Sequence, residues 1–207
     1  MFIELIDLLR CPVDHEESWL VAAFAKMDQR FVIEGQLGCP VCSATYQIRA
    51  GVAEFAGAPA WSKGMRPVAG ADEAVRFSAM LGLIRPGSAA VLHGSAGVNA
   101  ASIAEMTGAR IIVVNSLAPT GESERVGVVT AASRLPVAAG SLDGIVVETS
   151  SDQAIGEALR VVRPGGRIVA PAGTTAGGRF VELARDDQNV VGEIAVPLVT
   201  LGRQTPR

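Results

Sequence analysis

The chain is short of several things, and each shortage narrows what it can be. Three cysteines in 207 residues are too few, and too odd in number, for a disulfide framework. A reducing, cytoplasmic setting is the expectation. Basic residues are not in excess: 18 Lys and Arg face 21 Asp and Glu, a formal net charge of −3. No broad nucleic-acid footprint is therefore expected. No apolar run approaches the roughly 18 residues of a membrane helix. The first ten residues carry Glu4 and Asp7 inside an apolar stretch and have no basic leader, so no signal peptide is read there. Repeats and low-complexity tracts are absent. Charged residues are only 19% of the chain and apolar ones 49%, a composition that folds around a core.

What is present falls into two parts. Residues 2–9 (Phe-Ile-Glu-Leu-Ile-Asp-Leu-Leu) place apolar side chains at 2, 3, 5, 6, 8 and 9, which predicts a short helix packed on one side. Residues 19–24 and 30–34 read as short strands. A Gly/Pro/Ala-rich stretch then marks a boundary. The expected organisation is a small domain over 1–56, a linker over 57–70 and a larger domain over 71–207. In the larger part, residues 72–83 predict a helix. Residues 89–92 predict a strand, residues 99–108 a short helix and residues 110–115 a second strand. Leu142 to Glu148 reads as a buried strand. Ser151 or Asp152 caps a helix running to Val162, and Arg163-Pro164-Gly165-Gly166 is a turn into a strand over 167–170. The tail from 179 to 202 reads as a short helix, then a hairpin around Val196-Pro197.

Strand, glycine turn, helix, strand is the opening unit of a Rossmann-like fold. Ala-Val-Leu-His-Gly-Ser-Ala-Gly-Val-Asn (residues 90–99) resembles the first loop of class I S-adenosylmethionine (SAM) methyltransferases, roughly V-L-D-x-G-x-G-x-G. Arg134-Leu-Pro-Val-Ala-Ala-Gly-Ser-Leu-Asp143 resembles that family's R-L-P-F-x-D-G-S-F-D. Glu157-Ala-Leu-Arg-Val-Val-Arg-Pro-Gly-Gly166 resembles its E-x-x-R-V-L-R-P-G-G. The resemblance implies a SAM site, and its positions can be carried over singly. His93 stands for the loop acid, Ser95 for the first glycine and Asn99 for the third; Gly97 alone stays in register. Asn115 falls where an acid holds the ribose hydroxyls, and Ala131 where one faces the adenine amino group. A hydrogen bond to a charged group is worth about 1.5–3 kcal/mol. Losing two costs about two to four decades of affinity. The resemblance brings no catalytic group: Glu148-Thr149-Ser150-Ser151 occupies the place of an Asn-Pro-Pro-Tyr. Glu148 reads as a solvent-facing or capping carboxylate and His93 as a structural histidine.

Near the N-terminus, Cys39-Pro40-Val41-Cys42 has the spacing of a zinc knuckle, with Cys11 as a third thiol. The readings left open are a metal-free ribbon with buried thiols, or zinc held by three cysteines and a fourth ligand. His15 is the commoner partner of thiolates, whereas Asp14 has the better spacing. The stretch resembles the small zinc ribbons that activate tRNA and translation-factor methyltransferases as bound subunits. The matches are Leu8, Leu9, Arg10, Cys11, Pro12, Cys39, Cys42, Tyr46, Ile48 and Gly51. The departures are Asp14 for Cys, Ala44 for Gly, and Gln47 and Ala53 for Pro. Tyr46, the only tyrosine, is expected to pack within the ribbon.

The fold class expected is α/β: a Rossmann-like, methyltransferase-type sheet joined to a small zinc-ribbon-like α+β domain. The altered loop favours a non-catalytic, methyltransferase-like protein that works by protein association. Its ribbon would dock on its own Rossmann-like part or on a second copy. The alternatives are an active SAM-dependent methyltransferase with atypical contacts, or a domain binding another small ligand. Zinc is the expected cofactor, and SAM is not expected to bind.

Overall fold

Five strands, four of them short apolar runs buried on both faces, form the centre of the molecule. They are β5 (Ala89–His93), β6 (Arg110–Val114), β7 (Val126–Thr130), β8 (Leu142–Val146) and β9 (Val162–Pro171), mutually parallel in the order β7-β6-β5-β8-β9. Parallel strands covered on both sides read as continuous Val/Ile/Leu runs, and every residue of β7 and β8 is buried. An antiparallel pair, β11 (Asn189–Ile194) and β10 (Phe180–Arg185), closes one edge. Counted within this part alone, the order is 3-2-1-4-5-7-6. This is a doubly wound, Rossmann-like, methyltransferase-type sheet. The computed structural model describes residues 1–57, 70–117, 120–121, 123–175 and 177–196. The expected linker over 57–70 lies, apart from its two ends, outside the described residues. Among them, no helix is long and apolar enough to cross a membrane.

The N-terminal residues form an antiparallel meander, β1 (Val21–Asp28), β2 (Phe31–Gly38), β3 (Thr45–Arg49) and β4 (Val52–Glu54). It belongs to the same sheet: β4 pairs in parallel with β7, Ala53 opposite Val129 and Glu54 opposite Thr130. The result is one sheet of 11 strands. Of the two dockings expected for this unit, the structure shows the one within the chain.

Side chains of alternate residues leave the sheet on opposite faces. Ile111 and Val113 join one core layer with Phe77 and Leu81 of α1 (Ala71–Leu81) and Ile103 of α2 (Ala100–Thr107). Ile112 and Val114 join the other, with Ala158 and Val161 of α3 (Asp152–Val161). No helix follows β6 or β7 among the described residues, so that second layer has a gap. The N-terminus fills it. Residues Ile3–Leu8 form a 3₁₀ helix, and Met1, Leu5 and Leu9 are fully buried. The exposed Glu4 and Asp7 are three residues apart, which suits the threefold turn of a 3₁₀ helix. Gly127 of β7 makes the approach possible, since a Cβ there would lie 3.1 Å from Leu5 Cδ1 and 3.5 Å from Met1 Cε.

Several sequence expectations are corrected. Strand β7 was not anticipated. The strands expected at 19–24 and 30–34 run later and longer. The first helix stops at Leu81, capped by Gly82 in the left-handed region (φ 61°). Of the two caps weighed for α3, Ser151 is the one, its hydroxyl accepting from the Ala154 N–H. Arg163-Pro164-Gly165-Gly166 is an irregularity within β9 rather than a turn before it. Among the described residues the tail has no helix; residues 180–194 form a hairpin turning at 186–188. There the Asp186 carboxylate accepts from the Gln188 and Asn189 N–H groups at 2.8 and 2.7 Å. Pro197 lies outside the described residues.

Because the N-terminal helix and the parallel strands share one core, they should unfold together. Leu5→Ala should cost about 2–5 kcal/mol. In denaturant titrations, far-UV circular dichroism and tryptophan fluorescence should move to one common lower midpoint. Two separate midpoints would show independent units.

Candidate functional site

The carboxyl ends of the parallel strands meet in a crevice, the place where open α/β sheets bind ligands. The sequence-predicted positions do gather there. His93 ends β5, Asn115 follows β6 and Ala131 follows β7. Ser95 and Gly97 lie in a 3₁₀ turn, Gly94–Asn99, that leads into α2. The helix expected from Asn99 thus begins one residue later, after a tighter turn.

Each of these groups is already engaged inside the chain. Asn115, at φ 51°, adopts the left-handed conformation that asparagine tolerates. Its amide closes a reciprocal pair with Ala131: Nδ2 donates to the Ala131 carbonyl, and Oδ1 accepts from the Ala131 N–H, both at 2.9 Å. Gly97 is glycine for packing, because a Cβ would lie 2.3 Å from Val113 Cγ1. Asn99 is fully buried and donates through Nδ2 to Glu73 on α1 at 3.1 Å. Burial pushes the His93 pKa down against the opposing pull of Glu148, so the imidazole is neutral near pH 7. Its Nε2 lies 3.5 Å from Asn115 Nδ2, and its buried Nδ1 has no hydrogen-bond partner. Glu148 is exposed but not idle: its carboxylate accepts from the Ser95 N–H at 2.6 Å and from the Ser95 hydroxyl. Beside His93, a cavity of about 190 Å³ runs between Leu135 and α3. Pockets for drug-sized ligands are about 300–1,000 Å³. A larger open groove of about 510 Å³ crosses β1–β3 at Phe24, Gly35 and Gln47, on residues that are not at the strand ends.

The two best-preserved motifs turn out to hold each other. Glu157 accepts from the Leu135 N–H at 2.8 Å and from Arg160, while Arg160 donates to the Leu135 and Val137 carbonyls, both at 2.9 Å. Asp143, mostly buried in β8, accepts from the Ala89 N–H, Arg85 and Arg163. Burial alone pushes its carboxyl upward, but these donors outweigh that and leave it below the ordinary range. Gly166 leaves no room for a side chain, with Val162 Cγ1 2.6 Å and the Asp143 carbonyl 2.8 Å from a Cβ. These contacts account for the motifs as fold devices.

A second cluster lies on the N-terminal unit. Cys11, His15, Cys39 and Cys42 bring their ligand atoms within 4.8 Å of one another. Cys11 Sγ is 3.7 Å from Cys42 Sγ, and Cys39 Sγ is 3.4 Å from His15 Nε2. His15 Nδ1 lies 2.5 Å from the Glu16 carbonyl. A hydrogen bond there holds the proton on Nδ1 and turns Nε2 toward the thiols, as in metal-bound histidines. Asp14 is paired instead with Arg134 at 3.1 Å. Three thiols and one imidazole are a fit donor set for tetrahedral zinc. Burial pushes the Cys39 thiol up, yet the N–H groups of Cys42 and Val41 and the adjacent thiols outweigh it. Its pKa falls to about 6, so a thiolate is ready at neutral pH. The left-handed residue of the knuckle is Ser43 (φ 61°), so the position of the ribbon glycine is 43 rather than 44. Tyr46 packs on Phe55 and places its hydroxyl 3.3 Å from Cys11 Sγ.

No protein-family model matches this chain, and no curated protein does. Solved structures of methyltransferases resemble it in part. A geranyl diphosphate methyltransferase in complex with GPP and sinefungin is 20% identical, with TM-score 0.41, over 48% of this chain and 44% of that one. A putative sarcosine dimethylglycine methyltransferase from Galdieria sulphuraria is 19% identical, with TM-score 0.40, over 48% and 45%. Haemonchus contortus phosphoethanolamine N-methyltransferase 2, in complex with S-adenosyl-L-methionine, is 18% identical, with TM-score 0.40, over 48% and 27%. The match thus spans less than half of each. The fold assignment stands on the strand order itself.

Two outcomes follow from the geometry. Protein purified without added metal should carry about one zinc by elemental analysis. His15→Ala and Cys39→Ser should lose it and melt lower, while Asp14→Asn should keep it. Full metal content in His15→Ala would remove that residue from the ligand set. At the crevice, Asn115→Asp should destabilise by about 1–3 kcal/mol, because a carboxylate oxygen would face the Ala131 carbonyl. Unchanged denaturant midpoints would show the reciprocal pair to be dispensable.

Proposed function

We propose that this chain is a non-catalytic, methyltransferase-like protein that acts by association with another protein, its N-terminal unit braced by zinc on Cys11, His15, Cys39 and Cys42. The observation that carries the reading is the Asn115–Ala131 pair. The two positions from which a SAM site would hold ribose and adenine are bonded to each other and offer no carboxylate. The motifs retained with most fidelity serve folding, and the positions for cofactor contact are the ones changed. Support for association comes from the outer edge. Among the described residues strand β1 has no partner on its free side, and Val21 and Met27 are exposed along it. Such an edge can accept a strand from another chain. The competing reading, an active SAM-dependent methyltransferase, draws on the strand order and on the sequence motifs that resemble that family.

A calorimetric titration with SAM and with its demethylated product decides between them. The expected result is no binding tighter than about 1 mM, near −4 kcal/mol. Low-micromolar affinity in the wild-type protein would overturn the non-catalytic reading and install the methyltransferase.

A further inference from the structure

The sequence gives no reason for Ser95 and Glu148 to be considered together, since 53 residues separate them. The structure joins them. Glu148 leaves the end of β8 and reaches across to the turn after β5. One carboxylate oxygen takes both donors of Ser95, the backbone N–H at 2.6 Å and the hydroxyl. The other oxygen lies over Gly94, where a Cβ would come within 1.8 Å of it. Gly94 is thus glycine twice over: its φ is +60°, and the space a side chain would need holds a carboxylate.

We infer that Glu148 is an internal plug: its carboxylate occupies the Gly94–Ser95 seat that would otherwise receive the carboxylate of an amino-acid ligand. Three features fit that role. The seat is built to the size and charge of a carboxylate, because two donors converge on one oxygen above a missing side chain. The occupant is tethered to the sheet, so its effective concentration exceeds that of a free competitor. The residue that replaces the first loop glycine is the one that supplies the extra donor, so Ser95 and Glu148 act as a matched pair. This inference rests on the reading of the crevice as self-filled, but it adds a cause distinct from the Asn115–Ala131 pair. A single substitution would free this seat while the Asn115–Ala131 pair stays in place.

The test is a chemical-shift titration of wild type, Glu148→Ala and Glu148→Gln with methionine, with methioninamide as the carboxylate-free control, and with SAM. Glu148→Ala should bind methionine and SAM at least tenfold more tightly than wild type. Glu148→Gln keeps the side chain but removes the charge that holds it to the Ser95 donors, and should gain part of that increase. Methioninamide should gain nothing with either variant. Circular dichroism establishes that each variant is folded, and Glu148→Gln carries the test alone if Glu148→Ala is not. No gain in any folded variant, or an equal gain for methioninamide, overturns the plug. Tight wild-type binding of SAM would instead overturn the non-catalytic reading, so the two failures are distinguishable.

Discussion

A parallel sheet must be covered on both faces, and the helices among the described residues are too few to do so. The connections after β6 and β7 contain no helix among the described residues, although a parallel crossover ordinarily supplies one. The uncovered strands carry Ile112, Val114 and Val129 toward that face. Met1, Leu5 and Leu9 cover them. Full burial of an aliphatic side chain is worth about 1.5–3 kcal/mol. Three such residues therefore contribute a large part of the 5–15 kcal/mol that holds an ordinary domain together. The N-terminal segment is structurally a layer of the Rossmann-like domain, and the β4–β7 pairing follows from its being held there.

The strand ends face an equivalent demand. They expose loop N–H groups and carbonyls, and buried or half-buried polar groups must find partners. In a cofactor-binding domain the ligand can satisfy some of them. In this chain side chains do the work: Asn115 satisfies the Ala131 backbone, Glu148 satisfies Ser95, and Glu157 with Arg160 satisfies the 135–137 segment. The unpartnered Nδ1 of His93 and Oδ1 of Asn99 are the exceptions at the crevice.

How much was legible in the sequence follows from the range of each interaction. Strand β5 and its glycine turn could be read because their signals are local runs of apolar residues and Gly; the equally local Arg-Pro-Gly-Gly signal marks an irregularity that β9 runs through, not the turn expected there. The three cysteines were readable from knuckle spacing; His15 comes from ligand chemistry, against the better spacing of Asp14, and folding brings His15 rather than Asp14 to the thiols. Strand β7 was missed because Val-Gly-Val-Val-Thr is short and is interrupted by a glycine whose purpose, room for Leu5, lies more than 120 residues away. The hairpin expected around Val196-Pro197 rests on proline as a turn signal and falls partly outside the described residues. The short helix expected before it gives way to a hairpin whose turn is made by the Asp-Asp-Gln-Asn run. Nothing near Asn115 in sequence shows that Ala131 consumes its amide.

The two candidate sites are connected through one segment. Residues 134–139 form a wall of the 190 Å³ cavity through Leu135 and are clamped from within by Glu157 and Arg160. From outside, the same segment receives the first knuckle: Arg10 N–H donates to the Pro136 carbonyl at 2.9 Å, Leu9 bridges Val137, Glu17 accepts from the Ala139 N–H at 2.9 Å, and Asp14 pairs with Arg134. The exposed Asp14 pair is worth little by itself. The backbone contacts matter more, because they fix the knuckle that carries Cys11 and His15 against the wall of the crevice. A metal that ordered this knuckle would therefore also order residues 134–139. The N-terminal unit thus reaches the Rossmann-like part through three structural links: an added strand at β7, a buried layer under β6 and β7, and a loop contact at the crevice wall.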